Sequence, residues 1–349
     1  MKINTKKITV PNQEWKLFTL VNDNGMEVSF LNYGGAITKI LVPNRDNTFE
    51  NVVLGYKEYE DYIENPVFLG ALIGRVAGRI QGSQFVLDGT TYTLPANNGE
   101  NHLHGGPTGF HSVAWESDAF ETENEVGVNL SHTSNDGDGG YPGNLTMKVT
   151  YTLDNSNNFS ITYEGSSDQK TVLTATNHSY FNLSGNLKEN ILEHEVTLDS
   201  SSFVELDEDL IPTGKEIAVE GTSFDFRNGQ RIKVGAESNN PQNKVASNGY
   251  DQNFIFDDNK KEKAIVRDYT SGRELVVTTD QPGVVLYSSN SMDESLNLVE
   301  GSSRKYLGLC LETQSSPASL NHEGFPGIVL DKGEKYQSKT TFSFNLINK

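Results

Sequence analysis

The chain has 349 residues, of which 35% are hydrophobic and 21% charged, and this apolar content excludes an intrinsically disordered protein. Its 47 acidic and 28 basic residues give a formal net charge of -19, which argues against nucleic acid and anionic membrane surfaces as partners. The single cysteine and the lack of a long apolar run predict a cytoplasmic protein that crosses no membrane.

The N-terminal part of the chain alternates apolar and polar residues, as half-buried strands do. Asn24-Gly25 is predicted to join a strand over Leu17–Val21 to a strand over Met26–Phe30 through a type I′ turn. Helical periodicity is scarce. The best helical candidate, Tyr56–Ile63, is short and is predicted to be a surface turn between strands.

A second type I′ turn is predicted at Asp88-Gly89, between strands over Phe85–Leu87 and Thr91–Leu94. The same alternation continues through Thr146–Tyr151 and Glu274–Val277, and many of the 32 glycines lie between such segments. No internal repeat or long linker divides the sequence. These features predict an all-β protein, a large antiparallel β-sandwich, with residues 1–349 as one domain.

Two arginines and two histidines are candidate ligand contacts in the first third of the chain. Arg75 and Arg79 can each bind hydroxyl groups or pair with one of the surplus carboxylates. His102 and His104 have a spacing that can hold zinc. No third ligand follows at a recognisable spacing, and the glycines after His104 favour a sharp turn beside a ligand, so we predict no metal site.

The segment Thr176–Leu183 places His178, Tyr180 and Asn182 on one face if it is extended. A polar row beside aromatic side chains is typical of a pocket for a hydroxyl-rich ligand. The alternative for an isolated histidine is a buried side chain that bonds to the backbone.

Polar candidates in the last third include Asp251 and Gln281, each of which can contact a ligand or stabilise a turn. In Leu307–Gln314 the leucines are predicted to face the core, while Cys310 and Glu312 share the opposite face with Gln314. The small residues beside Glu312 leave room for a cleft, although the carboxylate can equally serve to hold a neighbouring loop.

Six of these segments resemble the aldose 1-epimerase (galactose mutarotase) family, in the same order and across essentially the whole chain. The matching stretches are Gly74–Ile80, Asn101–Gly106, Thr176–Leu183, Tyr250–Phe254, Thr279–Gly283 and Leu311–Pro317. The combination is specific, whereas any single stretch would be a modest signal.

The resemblance implies the supersandwich fold of galactose mutarotase-like proteins with an open cleft, His178 as general acid and Glu312 as general base. It also implies that the sugar is held by Arg79, His104, Asp251 and Gln281, with Tyr180 lining the pocket, and that no cofactor takes part. Some relatives carry at Gly78 an asparagine that touches the sugar, so the hexose preference stays open.

The implied activity is interconversion of the α and β anomers of free hexoses, such as galactose and glucose, by acid–base ring opening and re-closure. In the starting complex with sugar, Glu312 is expected to be ionised and His178 protonated, since their attraction favours this state. The alternatives are a non-catalytic sugar-binding or sensor protein, a hexose-6-phosphate 1-epimerase, and a glycosidase that uses Glu312 with Asp251. A monomer and a homodimer are both compatible with the sequence.

Overall fold

The computed structural model describes residues 1–257 and 259–347 and consists mainly of antiparallel strands. Strands β1 to β10 are Lys2–Val10, Gln13–Val21, Glu27–Leu31, Ile37–Pro43, Phe49–Asn51, Leu72–Ile73, Arg79–Ile80, Gln84–Leu87, Thr90–Thr93 and His102–Leu103. Strands β11 to β20 are Glu116–Glu121, Glu125–Ser134, Leu145–Asp154, Asn158–Ser167, Thr171–Val172, Thr176–Asn177, Tyr180–Phe181, Glu195–Leu198, Ser202–Leu206 and Pro212–Ala218. Strands β21 to β30 are Gln230–Arg231, Asp251–Ile255, Ala264–Asp268, Arg273–Thr279, Gly283–Tyr287, Asn297–Leu298, Gly301–Ser302, Leu309–Thr313, Val329–Leu330 and Tyr336–Leu346.

Helices are short, as the scarcity of helical periodicity predicts. The α-helices are α1, Lys233–Ala236, and α2, Pro241–Val245; single 3-10 turns cover Tyr59–Tyr62, Gln81–Ser83, Phe110–Ser112, Asp138–Gly140 and Pro317–Leu320. None of the helices in the described ranges is long and apolar enough to cross a membrane. The turn at Tyr59–Tyr62 lies where a surface turn was predicted, but Tyr62 is buried, so this turn also contributes to packing.

Three antiparallel sheets form the framework. The largest has nine strands in the order β11-β12-β13-β14-β30-β24-β23-β18-β21, and the second has six in the order β17-β28-β25-β22-β19-β20. The third is the N-terminal meander β1-β2-β3-β4-β5. The prediction of an all-β, antiparallel sandwich is therefore confirmed.

The nine-stranded and six-stranded sheets share one hydrophobic core with the meander. Leu309 and Leu311 of β28 belong to the same buried cluster as Val149 of β13, Phe342 of β30 and Phe30 of β3. Burying each such side chain contributes roughly 1.5 to 3 kcal/mol, and a slip of β28 by one residue would exchange leucines for polar groups in the core. The register of β28 is thereby fixed, and its alternate residues face away from the core.

Leu307 does not share the face of Leu309 and Leu311, contrary to the alternation predicted from the sequence. It packs in a second buried cluster that contains Tyr180. The reason is local: Tyr306 has a φ of 60°, so the chain turns before β28 begins at Leu309.

The two predicted hairpins both form, but only one has the predicted turn. Asp88 and Gly89 have φ values of 48° and 78°, as a type I′ turn requires. Gly25 has a φ of 86°, whereas Asn24 does not have a positive φ, and the Gly25 N–H bonds to the carbonyl of Asn22. The type I′ prediction for Asn24-Gly25 is therefore wrong: the loop is wider and needs a left-handed residue only at glycine.

Candidate active site

A cavity of about 310 Å³ opens on the face of the six-stranded sheet that points away from the core. Its floor comes from β28, β25 and β22, and its walls come from the loops beside β7, β10 and β17. Six of the seven residues to which the family resemblance assigns a role line it, namely His178, Glu312, Arg79, His104, Tyr180 and Asp251. Segments that are distant in the sequence therefore meet at one place.

The two candidate proton-transfer groups lie side by side in this cavity. Nε2 of His178 is 3.5 Å from Oε1 of Glu312, and the two side chains are only 6% and 3% exposed. Glu312 is held by β28, whereas His178 follows β16 directly. The pair is close enough to act on adjacent atoms of one bound molecule.

An Asx turn places His178 in the cavity. The Asn177 side-chain oxygen accepts the backbone N–H and the hydroxyl of Ser179, which interrupts the extended chain between β16 and β17. The His178 N–H bonds to the carbonyl of Ala71, and the Gly70 N–H bonds to the carbonyl of His178. The histidine backbone is therefore anchored on both sides.

Burial controls the protonation of the pair. It lowers the pKa of His178 to about 4 and raises the pKa of Glu312 well above its ordinary value, with the charge of Asp251 adding to the second shift. Without a bound sugar, burial thus favours the uncharged form of each group, and the ionised Glu312 beside a protonated His178 in the starting complex stays a prediction. Burial penalises both charges, which favours a neutral imidazole beside a protonated carboxyl group.

Arg79 and Asp251 form a second polar pair across the cavity. Nη1 of Arg79 is 3.6 Å from Oδ2 of Asp251, and its Nε donates to the side-chain oxygen of Asn98 at 2.9 Å. Burial raises the pKa of Asp251 to about 6, and the nearby guanidinium opposes this shift. Both side chains keep some exposure to the cavity and can bind hydroxyl groups there.

His102 and His104 have different roles, although their spacing is one that can hold zinc. Nδ1 of His102 bonds to the carbonyl of Pro95 and its Nε2 to the hydroxyl of Tyr141, so this ring is part of the framework. Nδ1 of His104 accepts the backbone N–H of Gly78 at 3.1 Å. The ring hydrogen of neutral His104 is therefore on Nε2, as a donor.

A metal-like cluster arises from residues that the H-x-H spacing did not reveal. Ligand atoms of His104, His178 and Glu312 all lie within 4.8 Å of one another. Two features disfavour a metal here: the bond from the Gly78 N–H to Nδ1 of His104 places the hydrogen of the neutral ring on Nε2, and burial favours the protonated form of Glu312. The donor set fits proton transfer better than metal ligation.

Besides His102, three candidates from the sequence lie outside the cavity lining. Arg75 is buried and donates to backbone carbonyls, including that of Gly143, and Asn182 also bonds to backbone carbonyls. Gln281 lies before β25 and uses its side-chain N–H to bond the hydroxyl of Tyr336 at 3.2 Å. The structure therefore does not place Gln281 with the other expected ligand contacts, because it is outside the cavity lining and its side-chain N–H bonds within the framework.

Other cavity residues were not singled out from the sequence. Phe68 packs its ring edge-on against His104 and lies 6.0 Å from the ring of His178, with a strained φ of 57°. Nothing in local sequence indicates this contact. Asn253 and Val285 also line the cavity, and the strand alternation that begins with Asp251 was the available signal for Asn253.

Comparison with known proteins gives a consistent result. A family model described as aldose 1-epimerase matches residues 16–343. The galactose mutarotase of Bos taurus is 40% identical over 332 residues, which cover 94% of each chain. The aldose 1-epimerase of Escherichia coli strain K12 is 34% identical over 345 residues, covering 97% of this chain and 98% of that protein. The solved structure of galactose 1-epimerase from Lactobacillus acidophilus NCFM has a TM-score of 0.89, 32% identity and full coverage of both chains.

Proposed function

The chain belongs to the aldose 1-epimerase family, and on that premise we propose that it interconverts the α and β anomers of free hexoses through His178 and Glu312. The observation that carries the proposal is the 3.5 Å contact between these two buried side chains in a cavity lined by hydroxyl-binding groups. The enzyme is accordingly an isomerase that acts on sugars.

Ring opening requires two proton transfers at neighbouring oxygens. Passage of a proton from the Glu312 carboxyl group to Nε2 of His178 gives a carboxylate and an imidazolium without changing the net charge of the site. Glu312 then takes the proton of the C1 hydroxyl while His178 gives its proton to the ring oxygen, and the C1–O5 bond breaks. Rotation about C1–C2 and the reverse transfers close the other anomer, so the pair ends with the proton it began with.

The remaining cavity groups are proposed to hold the sugar during this step. Arg79 and the Nε2–H of His104 are hydrogen-bond donors, and the Asp251 carboxylate is an acceptor for sugar hydroxyls. Tyr180 has its own hydroxyl bonded to the carbonyl of Val67, so its ring serves as a fixed wall. Positioning of this kind keeps the two reacting oxygens beside the acid–base pair.

The decisive test is polarimetry of freshly dissolved α-galactose and α-glucose. We expect the enzyme to accelerate the approach to anomeric equilibrium over the spontaneous rate, and heat-denatured enzyme is the control. Binding of galactose without acceleration would instead identify a sensor. Faster turnover of glucose 6-phosphate than of glucose would favour the sugar phosphate, whose charge the net charge of -19 repels.

We further propose that residues 1–349 act as one domain, in the cytoplasm, as a monomer or a homodimer. The support for one domain is that a single core cluster contains residues from Phe18 to Phe344. The support for the compartment is a free, buried Cys310 as the only cysteine of the sequence. Light scattering after gel filtration and fractionation of the source cells test these points.

A further inference from the structure

Asn253 is a buried residue whose side-chain N–H groups have no hydrogen-bond partner among the described residues. Only 8% of the residue is exposed, and Nδ2 has no partner in the described ranges 1–257 and 259–347. Such an atom costs about 1 to 3 kcal/mol if nothing satisfies it. Asn253 lines the cavity that contains Glu312, so a rotation of its amide that turns Nδ2 toward the cavity lets a bound hydroxyl supply the missing bond.

The strand register aligns Asn253 with Glu312. Glu312 of β28 lies opposite Val285 of β25, and Val285 lies opposite Asn253 of β22. Residues directly opposite each other in an antiparallel sheet share a face. The three side chains therefore form a row that consists of a carboxyl group, an apolar group and an amide. The backbones of the two outer residues are roughly 9.5 Å apart.

The groups in this row are complementary to those that one pyranose presents from C1 to C4. With the C1 hydroxyl at Glu312, the carbon–hydrogen face of the ring lies over Val285, and the hydroxyl of C4, across the ring from C1, reaches Asn253. We propose that Asn253 binds the C4 hydroxyl of the hexose and thereby contributes to substrate specificity. This inference rests on the proposed function, since it requires a hexose with its C1 at Glu312.

An amide suits this position because it both donates and accepts hydrogen bonds. Glucose and galactose differ in the orientation of the C4 hydroxyl, and a group with both capacities can bond to either epimer. A sugar without that hydroxyl leaves the buried amide unsatisfied. Asn253 thus accepts both epimers but discriminates against hexoses that lack oxygen at C4.

The test compares glucose with its 4-deoxy analogue in the same mutarotation assay. For the wild-type enzyme we expect the deoxy sugar to have a KM that exceeds the KM for glucose by about threefold to tenfold. Asn253→Leu is expected to raise the KM for glucose by the same factor, leave the KM for the deoxy sugar unchanged and keep kcat within about twofold. Asn253→Ala, which removes the amide without adding bulk, is expected to have the same ratio of the two KM values as Asn253→Leu.

Asn129→Leu is the matched control, because Asn129 is a half-buried strand residue of β12 outside the cavity lining, and it should leave the KM for either sugar unchanged. An equal change for both sugars in the two Asn253 variants, or an unchanged KM for glucose, overturns the assignment. If the wild-type enzyme accelerates neither sugar, the proposed function itself fails. Wild-type turnover of glucose with no discrimination between the sugars refutes only the role of Asn253.

Discussion

At the residue scale, the central feature is a pair of proton-transfer groups whose charged forms are both disfavoured by burial. The pKa of His178 is lowered and that of Glu312 is raised, so burial favours the uncharged form of each group before the sugar arrives. Both are close to the reacting oxygens in the proposed complex, and each can serve in either direction of the reaction. Their separate removal therefore gives the most direct evidence on mechanism.

We expect Glu312→Gln and His178→Gln each to lower kcat by about 10²- to 10⁴-fold with little change in KM, because each loses a proton transfer. Arg79→Ala should also raise KM, since it removes hydroxyl donors. Polarimetric progress curves over a range of galactose concentrations separate these effects. Normal turnover by the Glu312→Gln enzyme would contradict the assignment.

The pH dependence of kcat/KM is expected to reflect the protonation of Asp251. Its pKa is raised to about 6, so the carboxylate becomes protonated as the pH falls through 6 and no longer pairs with Arg79 as an anion. We expect kcat/KM for galactose to fall on the acid side of pH 6. Asp251→Asn should remove this inflection while lowering kcat/KM at neutral pH, and an unchanged inflection would assign it to another group.

At the element scale, the effect of replacing a glycine that has a left-handed backbone conformation depends on the atoms around it. Gly89 has a φ of 78° with open space where a Cβ would be, whereas a Cβ on Gly105, with a φ of 82°, would be 1.9 Å from the carbonyl oxygen of Gly74. Gly105 directly follows His104. Its conformation therefore affects the active-site loop as well as stability.

We expect Gly89→Ala to lower the free energy of unfolding by about 1 to 2 kcal/mol through backbone strain alone, with unchanged mutarotation. Gly105→Ala should displace the His104 loop and reduce kcat/KM at least as strongly as it reduces stability. Urea unfolding and polarimetry measure the two effects. Equal activity of both variants would show that the loop tolerates the displacement.

Sequence alternation predicted which face of β28 carries Glu312, because a half-buried strand reveals its two faces locally. The same alternation pairs Asp251 with Asn253. The opposition of Glu312, Val285 and Asn253 was not predictable, since it depends on strand register between distant segments. The ligand contact predicted for Gln281 was not found for a related reason. A motif fixes the position of a residue along the chain, but the side chain of a residue at a turn can point either way.

At the scale of the whole molecule, several histidines are buried without charge. Burial lowers the pKa of His111, His178 and His194 to about 4. Each of these groups binds a proton more readily in the unfolded chain, where its pKa is near 6.5. The stability they contribute is therefore complete above pH 6.5 and is lost as the pH falls towards 4.

The acid sensitivity of stability can be tested separately from activity at His194. This residue lies outside the cavity lining, and its Nε2 accepts the N–H of Leu183 at 2.9 Å. The shift to about 4 corresponds to about 3 kcal/mol of acid sensitivity. His194→Gln, which retains an acceptor, should flatten the decline in stability between pH 6.5 and 4.5. Urea unfolding at several pH values checks this, and parallel curves for both proteins would refute it.

The six-stranded sheet carries packing and chemistry on alternate residues of the same strands. Leu311 and Leu286 pack in the core, while their neighbours Glu312 and Val285 line the cavity proposed for the sugar. Evolution can therefore exchange one residue in two along β25 to adapt the enzyme to another sugar, without rebuilding the interior. An engineer can follow the same route, beginning with Val285→Thr, and alter substrate range while the scaffold stays the same.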